Sequence, residues 1–437
     1  MKIQDVVIYP IAIADAPLRN AIGIHEPYVN RIIVELVGEN GFSGFGEAAY
    51  STRTYEDLLK ISPELIGADS SNTNAIYNIV AKHFGTPADE TNLDPVLKNF
   101  DLTPRRTNSA LPRTFSAIEV ASLDLTGQSV GISVAELLGG RVRESAPFSA
   151  YLFYKHAGGG GEGDDKREDL WGEAMTADAI VEQAKTFFAE YGFRSIKFKG
   201  GVLPPEDEIA AVRAMAEHLP AGTPLRIDPN CAWSVETSIH VGTELADVLE
   251  YFEDPTGEID GMAAVRKGLM AKGITMPMAT NMCVTSFDDV AESVAKDAVQ
   301  VILGDHHYWG GLRAVSELGR ICTTFGLGLS MHSNSHLGVS LMAMAHLAAA
   351  TPGLTYDADT HYPWLHEEDD ILVGGKLKFV NGGIAVSEKP GLGIEVDRDK
   401  LAKGKARFES IPYRDRDDVT YMRENFDPTW EKLLPRW

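Results

Sequence analysis

The stretch FRSIKFKGG, Phe193–Gly201, is the one from which the rest of the chain can be read. As a strand it places Lys197 and Lys199 on one face and Ile196 and Phe198 on the other, because side chains alternate along a strand. It stops at Gly200 and Gly201. Two ammonium groups side by side repel, which is expected to lower the pKa of at least one. A lysine tuned down in this way can take a proton from carbon. An edge strand with solvated lysines explains an isolated Lys-x-Lys equally well. The flanking sequence decides between the two readings.

From Pro147 onward, runs of strand length recur: FSAYL, RSIKF, PLRID, LEYFE, TMPMA, VQVIL, LGLSM and LTYD. Amphipathic helical stretches such as AIVEQAKTFFAEYG, EIAAVRAMAEHL and LRAVSELGRICTTFG separate most of them. The repeat is roughly 25–30 residues. Eight strand–helix alternations predict an α/β fold of the (β/α)8-barrel type over residues 145–373. FRSIKFKGG becomes the second barrel strand.

The segment before the barrel, residues 1–140, alternates apolar and polar positions and then turns helical. Glu39-Asn40-Gly41 is a hairpin turn between two apolar runs. Helices are expected from Thr54 to about His83 and along SAIEVASLDLTGQSVGISVAELLGG. The result is an α+β capping domain, completed by a C-terminal segment, residues 374–437, that folds back on it. Asp89 to Arg113 reads as loop, and the glycine run Gly158–Gly161 as a mobile loop.

With 40 basic and 63 acidic residues in 437, the net charge is −23. That argues against nucleic acid and anionic membranes, which call for basic patches. Cys231, Cys283 and Cys322 have no Cys-x-x-Cys spacing, so neither a disulfide framework nor a zinc site is expected. A cytoplasmic protein is the expectation, with no signal peptide. The longest apolar run, near Leu337 to Ala350, is too short to span a bilayer.

The strand ends carry the chemistry: Lys197 and Lys199, Asp228, Glu253, Asn281, Asp305, His332 and His361, from the second strand to the eighth. Any one of them alone is most simply a helix cap. Seven consecutive strands ending in reactive groups exceed what capping explains, and in a parallel barrel all lie on one rim. Asp228, Glu253 and Asn281 offer only oxygen, a set that suits Mg²⁺. Asp305 and His332 can pair, with the carboxylate fixing the imidazole tautomer. Lys199 and His332 would then flank the metal as two bases. Lys197 and Mg²⁺ would stabilise the charge that forms when an α-proton leaves a carboxylate substrate.

The strings KFKGG, DPNCAWS, EDPTG, ATNM, GDHHYWGG, MHSNSH and EKPGLGIEV resemble those of the glucarate dehydratases of the enolase superfamily, over nearly the whole chain. The resemblance implies an enolase-like fold and Mg²⁺-dependent removal of water from an acid sugar, giving a 4-deoxy-5-keto-hexarate. It implies Lys199 or His332 as the base, His332 also as the acid for the leaving hydroxyl, and Asn230 in the catalytic set. It further implies substrate contacts from His25, Asn99, Tyr151, Lys197, Asn281, Asn334, His361 and Arg416. The second metal ligand is expected to be Glu253, at its strand end, with Glu258 as the rival. A small diacid sugar is the expected partner and a homo-oligomer the expected assembly. Racemisation or epimerisation by a relative in the superfamily, a weakly active paralogue and a sugar-acid binding protein are the alternatives.

Overall fold

A computed structural model of the protein describes residues 1–84 and 110–437. Asn99, expected at the substrate, lies outside the described residues.

The chain begins with a three-stranded antiparallel sheet: β1 (Ile3–Ala14), β4 (Tyr28–Gly38) and β5 (Ser43–Ala49), in the order β1-β4-β5. The short pair β2 (Arg19–Asn20) and β3 (Gly23–Ile24) lies between β1 and β4 in sequence. Helices α1 (Thr52–Leu65), α2 (Thr73–His83) and α3 (Ala110–Val130) follow, then the short α4 (Val134–Leu137). The 54–83 stretch is thus two helices, each started by a side-chain cap, Ser51 and Asn72. Helix α3 is buried along most of its length because β5 lies flat against it. That approach needs glycine: a Cβ on Gly46 would stand 1.9 Å from the Ala117 carbonyl oxygen, and one on Gly44 2.1 Å from that of Ala121.

The second unit alternates strand and helix: β6 (Ser145–Phe153), α5 (Ala177–Tyr191), β7 (Ile196–Lys199), α6 (Pro205–His218), β8 (Leu225–Asp228), α7 (Val235–Glu244) and β9 (Leu249–Glu253). It continues with α8 (Ile259–Ala271), β10 (Met278–Thr280), α9 (Phe287–Ala295), β11 (Val301–Leu303), α10 (His306–Trp309), α11 (Leu312–Phe325), β12 (Gly328–Ser330), α12 (Gly338–Ala350) and β13 (Ala358–Thr360). The strands are parallel, in the order β12-β11-β10-β9-β8-β7-β6-β13. The ring closes through single backbone bonds between the β12 and β13 segments, among them Asp359 N–H to the Met331 carbonyl (2.8 Å). The eighth strand is Ala358–Thr360, not LTYD. Leu354 to Tyr356 instead run beside the Leu329 backbone before the strand begins. The core is continuous through this unit, and helix α12 is buried all round.

The C-terminal segment serves both units. Its strand β14 (Gly383–Ala385) pairs antiparallel with β6 of the barrel. Helix α13 (Arg398–Ser410) crosses β1, and α14 (Asp418–Asn425) packs on β3. The glycine run is not a loose loop. The Gly161 N–H donates to the Pro27 carbonyl, Gly158 N–H to Asp169, and the Gly159 carbonyl lies 2.7 Å from His366 Nε2. A Cβ on Gly160 would meet the Asp15 carbonyl at 2.2 Å, so the glycines are there for close packing. Among the described residues, no helix is long and apolar enough to cross a membrane.

Gly46→Ala should drive β5 away from α3. The expected loss is about 1–3 kcal/mol, as for other overpacked cores, read as a lower Tm.

Candidate active site

The strand ends of the barrel converge under the capping sheet. A cavity of ≈ 540 Å³ opens there, lined by the barrel rim, by His25 to Arg31 of the cap and by Arg414, Arg416 and Asp418 of the C-terminal segment. Its lining includes Tyr151, Lys199, Asn230, Asn281, His332, Asn334 and His361.

Lys197 lies beneath the cavity and does not line it. It is fully buried: its Nζ stands 2.5 Å from Glu253 Oε1, 2.8 Å from Asp359 Oδ2 and 3.2 Å from Asp228 Oδ2. Burial disfavours its charge, but Asp359 and Glu253 outweigh that and hold its pKa well above the ordinary lysine value. Lys199 donates to Asp228 Oδ2 and to Asn230 Oδ1, both at 2.6 Å. Its pKa is also raised: burial opposes the charge and Asp228 overcomes burial. The expected depression is therefore not found, because the carboxylates around each ammonium outweigh both burial and the other lysine. In this arrangement Lys197 neutralises protein carboxylates, and only Lys199 reaches the cavity.

The loop after Lys199 is held from below by Glu208. Its two oxygens accept from Gly201 N (2.8 Å), Val202 N (2.8 Å) and Leu203 N (3.0 Å). On the next strands, Asp254 accepts from Thr280 Oγ1 (2.5 Å) and from Asn281 N (2.8 Å), which fixes the turn that presents Asn281.

Asp228, Glu253 and Asp254 each bring a carboxylate oxygen within 4.8 Å of the others. Glu253 Oε2 is buried with no hydrogen-bond partner. The Asn281 amide stands 3.1 Å from Glu253 Oε1 and 3.0 Å from Asp254 Oδ2, where its nitrogen donates to both. Three buried carboxylates with oxygens this close, one of their oxygens unpartnered, are a donor set that suits a hard divalent cation, so these residues fit Mg²⁺. Glu258 is not in this cluster. It precedes α8, half-buried, with φ of 62°, an unusual backbone for a glutamate.

Across the rim, His332 Nδ1 lies 2.9 Å from Asp305 Oδ2, leaving Nε2 towards Asn281. Burial opposes ionisation of Asp305, yet His307 and His332 keep its pKa well below the usual carboxylate range. His332 itself is pushed down by burial despite Asp305. His25 Nδ1 pairs with Asp15 Oδ2 (3.0 Å), and its ring stacks on His361 at 6.4 Å. Tyr151 meets the His361 ring edge-on at 4.6 Å. Arg416 donates to Asp418 Oδ1 (2.7 Å) and faces Asp15 at 3.9 Å, so it is part of the cavity wall and not a solvated tail residue.

Several participants escaped sequence reasoning. Asp359 is the middle residue of the mislocated eighth strand. Asp254 stands next to Glu253 in EDP and His307 two residues after Asp305 in GDHH, with nothing in the strings to single them out. Glu208 had no motif at all.

A model described as enolase C-terminal domain-like matches residues 179–400, and the mandelate racemase / muconate lactonizing enzyme N-terminal domain matches residues 3–139. A probable glucarate dehydratase from Streptomyces coelicolor is 45% identical, covering 100% of this chain and 99% of that protein. An enolase from Gibberella zeae, solved with magnesium, formate and sulfate, superposes with a TM-score of 0.91 at 47% identity over 100% of this chain and 97% of that one. One from Pseudomonas fluorescens, solved with magnesium, potassium and tartrate, gives 0.92 at 45% identity, over 100% and 99%. A capped parallel barrel with acid–base groups on its rim, matched along both units, defines a member of the enolase superfamily. Within it, the chain belongs to the glucarate dehydratase family, whose members are hydro-lyases.

Glu208→Ala would leave three backbone N–H groups without their acceptor. A loss of at least about 2 kcal/mol is expected, measured by urea unfolding.

Proposed function

We propose that this protein is a Mg²⁺-dependent dehydratase that converts D-glucarate, or a closely related hexarate, to 5-keto-4-deoxy-glucarate. The observation that carries the reading is the pair Lys199 and His332, which line one cavity together with Asn230 and Asn281. The 45% identity to a probable glucarate dehydratase over the whole chain supports the substrate class.

Asp228, Asn281 and a glutamate would hold the metal, and Glu253 is the glutamate in reach. When bound, Mg²⁺ offsets the negative charge that develops on the substrate carboxylate as its α-proton leaves. Lys199 Nζ, held by Asn230 and Asp228, would take the proton presented on its side only after giving up its own, which Asp228 holds on it until that carboxylate is shared with a metal. His332 Nε2 takes a proton presented on the other side, its ring fixed by Asp305 at Nδ1. With Nδ1–H committed to Asp305, the proton His332 can deliver to the departing β-hydroxyl is one carried on Nε2, taken there from the substrate or from solvent. His25, Tyr151, Asn334, His361 and Arg416 orient the rest of the diacid. A cytoplasmic homo-oligomer remains part of the proposal.

Lys199→Ala should lower kcat by about 10²–10⁴, the usual worth of a positioned acid or base, followed as keto-acid formation from hexarates with Mg²⁺. Wild-type protein that yields no keto-deoxy acid from any hexarate would sink the reading. Solvent deuterium entering recovered substrate without loss of water would point to epimerisation instead.

A second assignment of the metal ligand rests on two observations: Lys197 already occupies Glu253 Oε1, and Glu258 has a strained backbone. Calorimetric titration with Mg²⁺ separates them. Glu253→Gln should weaken binding at least about ten-fold, as removal of a ligand-sphere group does, while Glu258→Gln should not; the reverse result assigns the place to Glu258.

A further inference from the structure

Arg31 belongs to strand β4 of the capping sheet, yet its guanidinium ends among residues of the barrel rim. It is 1% exposed. Its Nε donates to Glu47 Oε1 (2.8 Å), its Nη1 to Asn334 Oδ1 (2.8 Å), and its Nη2 lies 3.4 Å from His307 Nε2. Glu47, on β5, also accepts from Leu337 N (3.0 Å) and Ser340 N (3.0 Å) at the start of α12. Two cap residues thus reach across to the barrel.

An arginine has donors and no acceptor. Whatever it contacts must therefore offer a lone pair, and two ambiguous side chains are decided at once. Asn334 must turn its oxygen to Arg31, which leaves its amide to donate to Asp305 Oδ2 (3.2 Å). His307 must leave Nε2 unprotonated, with the Ser340 hydroxyl donating to it (2.9 Å). The ring proton of His307 then sits on Nδ1, 2.9 Å from Asp305 Oδ1. With His307 N–H (2.8 Å) and His332 Nδ1–H (2.9 Å), Asp305 receives four donors, two on each oxygen.

We propose that Arg31 is a positioning residue. By setting the tautomer of His307 and the amide orientation of Asn334, it locks the carboxylate that aims His332 into the cavity. The catalytic geometry of one base is thereby tied to docking of the cap. Without Arg31, the His307 ring is held at Nε2 by Ser340 alone; it can swing off Asp305 Oδ1 and, once off it, carry its proton on either nitrogen. Asn334, its oxygen no longer held, can swing its amide off Oδ2. Asp305 then loses two of its four donors, and the His332 ring loses its fixed partner. The inference rests on the dehydratase reading for its kinetic consequence, but its structural content does not depend on turnover.

The test compares wild-type protein with Arg31→Met in two measurements. Nitrogen NMR of histidine-labelled protein should find His307 protonated at Nδ1 alone in the wild type and mixed or Nε2-protonated in the variant. With a hexarate and Mg²⁺, kcat should fall about 10²-fold, as a misplaced group produces, and any rise in KM, since Asn334 also faces the substrate, should stay well below that fall. If Arg31→Met does not fold, the contrast is carried by His307→Asn, which keeps a donor for Asp305, against His307→Leu, which does not; only the second should lose kcat. An unchanged ring-nitrogen pattern in Arg31→Met overturns the proposal. So does a raised KM at constant kcat, which would make Arg31 a substrate contact, and so does equal activity of the two His307 variants. A wild-type protein inert toward every hexarate defeats the dehydratase reading, and the NMR pattern still decides the role of Arg31.

Discussion

A lysine ammonium sealed inside the barrel is the constraint on which the rest of the site depends. Lys197 is wholly buried, with carboxylates from β8, β9 and β13 around it. An unpaired charge at that depth would be strongly destabilising, and removing one partner of a buried pair costs about 3–5 kcal/mol. The charges therefore hold one another and the strands that carry them. Asp228, Glu253 and Asp359 cannot withdraw without orphaning Lys197, so the floor of the cavity has a fixed shape before any ligand arrives. Lys199, two residues on, is left at the cavity wall.

The second constraint is the joint between the capping domain and the barrel. Glu47 takes the N-terminus of α12, and Glu119 of α3 takes that of α11 through Leu312 N and Arg313 N. Helix N-termini present free N–H groups and favour negative charge, so each carboxylate is a specific dock. Burial pushes Glu119 up to about 7 even so. The cap is thereby more than a lid. It supplies His25 directly to the cavity and, through Arg31, reaches the Asp305–His332 pair.

How much of this was legible in the strings depends on the distance over which each decision is made. The period of strand and helix is local, and it gave the barrel. Its eighth strand was misplaced because LTYD is as apolar as a strand, while Ala358–Thr360 is recognisable only by its pairing with β6. The reactive strand ends were legible because a parallel barrel brings every such end to one rim. Their charge states were not. Lys-x-Lys reads as mutual repulsion in sequence, but Asp359 and Glu253 at Lys197 and Asp228 at Lys199 outweigh it, and the pKa shift changes sign. Gly158–Gly161 read as slack chain because glycine permits both mobility and close approach, and only its neighbours Asp15 and Glu168 tell the two apart.

The sequence by itself determined the alternation of elements, the residue types at the strand ends and the oxygen-only character of the metal-competent set, since each follows from neighbours in the chain. Only the tertiary structure decided which lysine reaches the cavity, which carboxylates neutralise the other and which cap residue governs the histidine base. These outcomes turn on contacts between residues tens to hundreds of positions apart, such as Arg31 with Asn334 and Lys197 with Asp359. Hydrogen-bond direction and net charge at a buried point are properties of the assembled neighbourhood, and no local stretch of chain contains them.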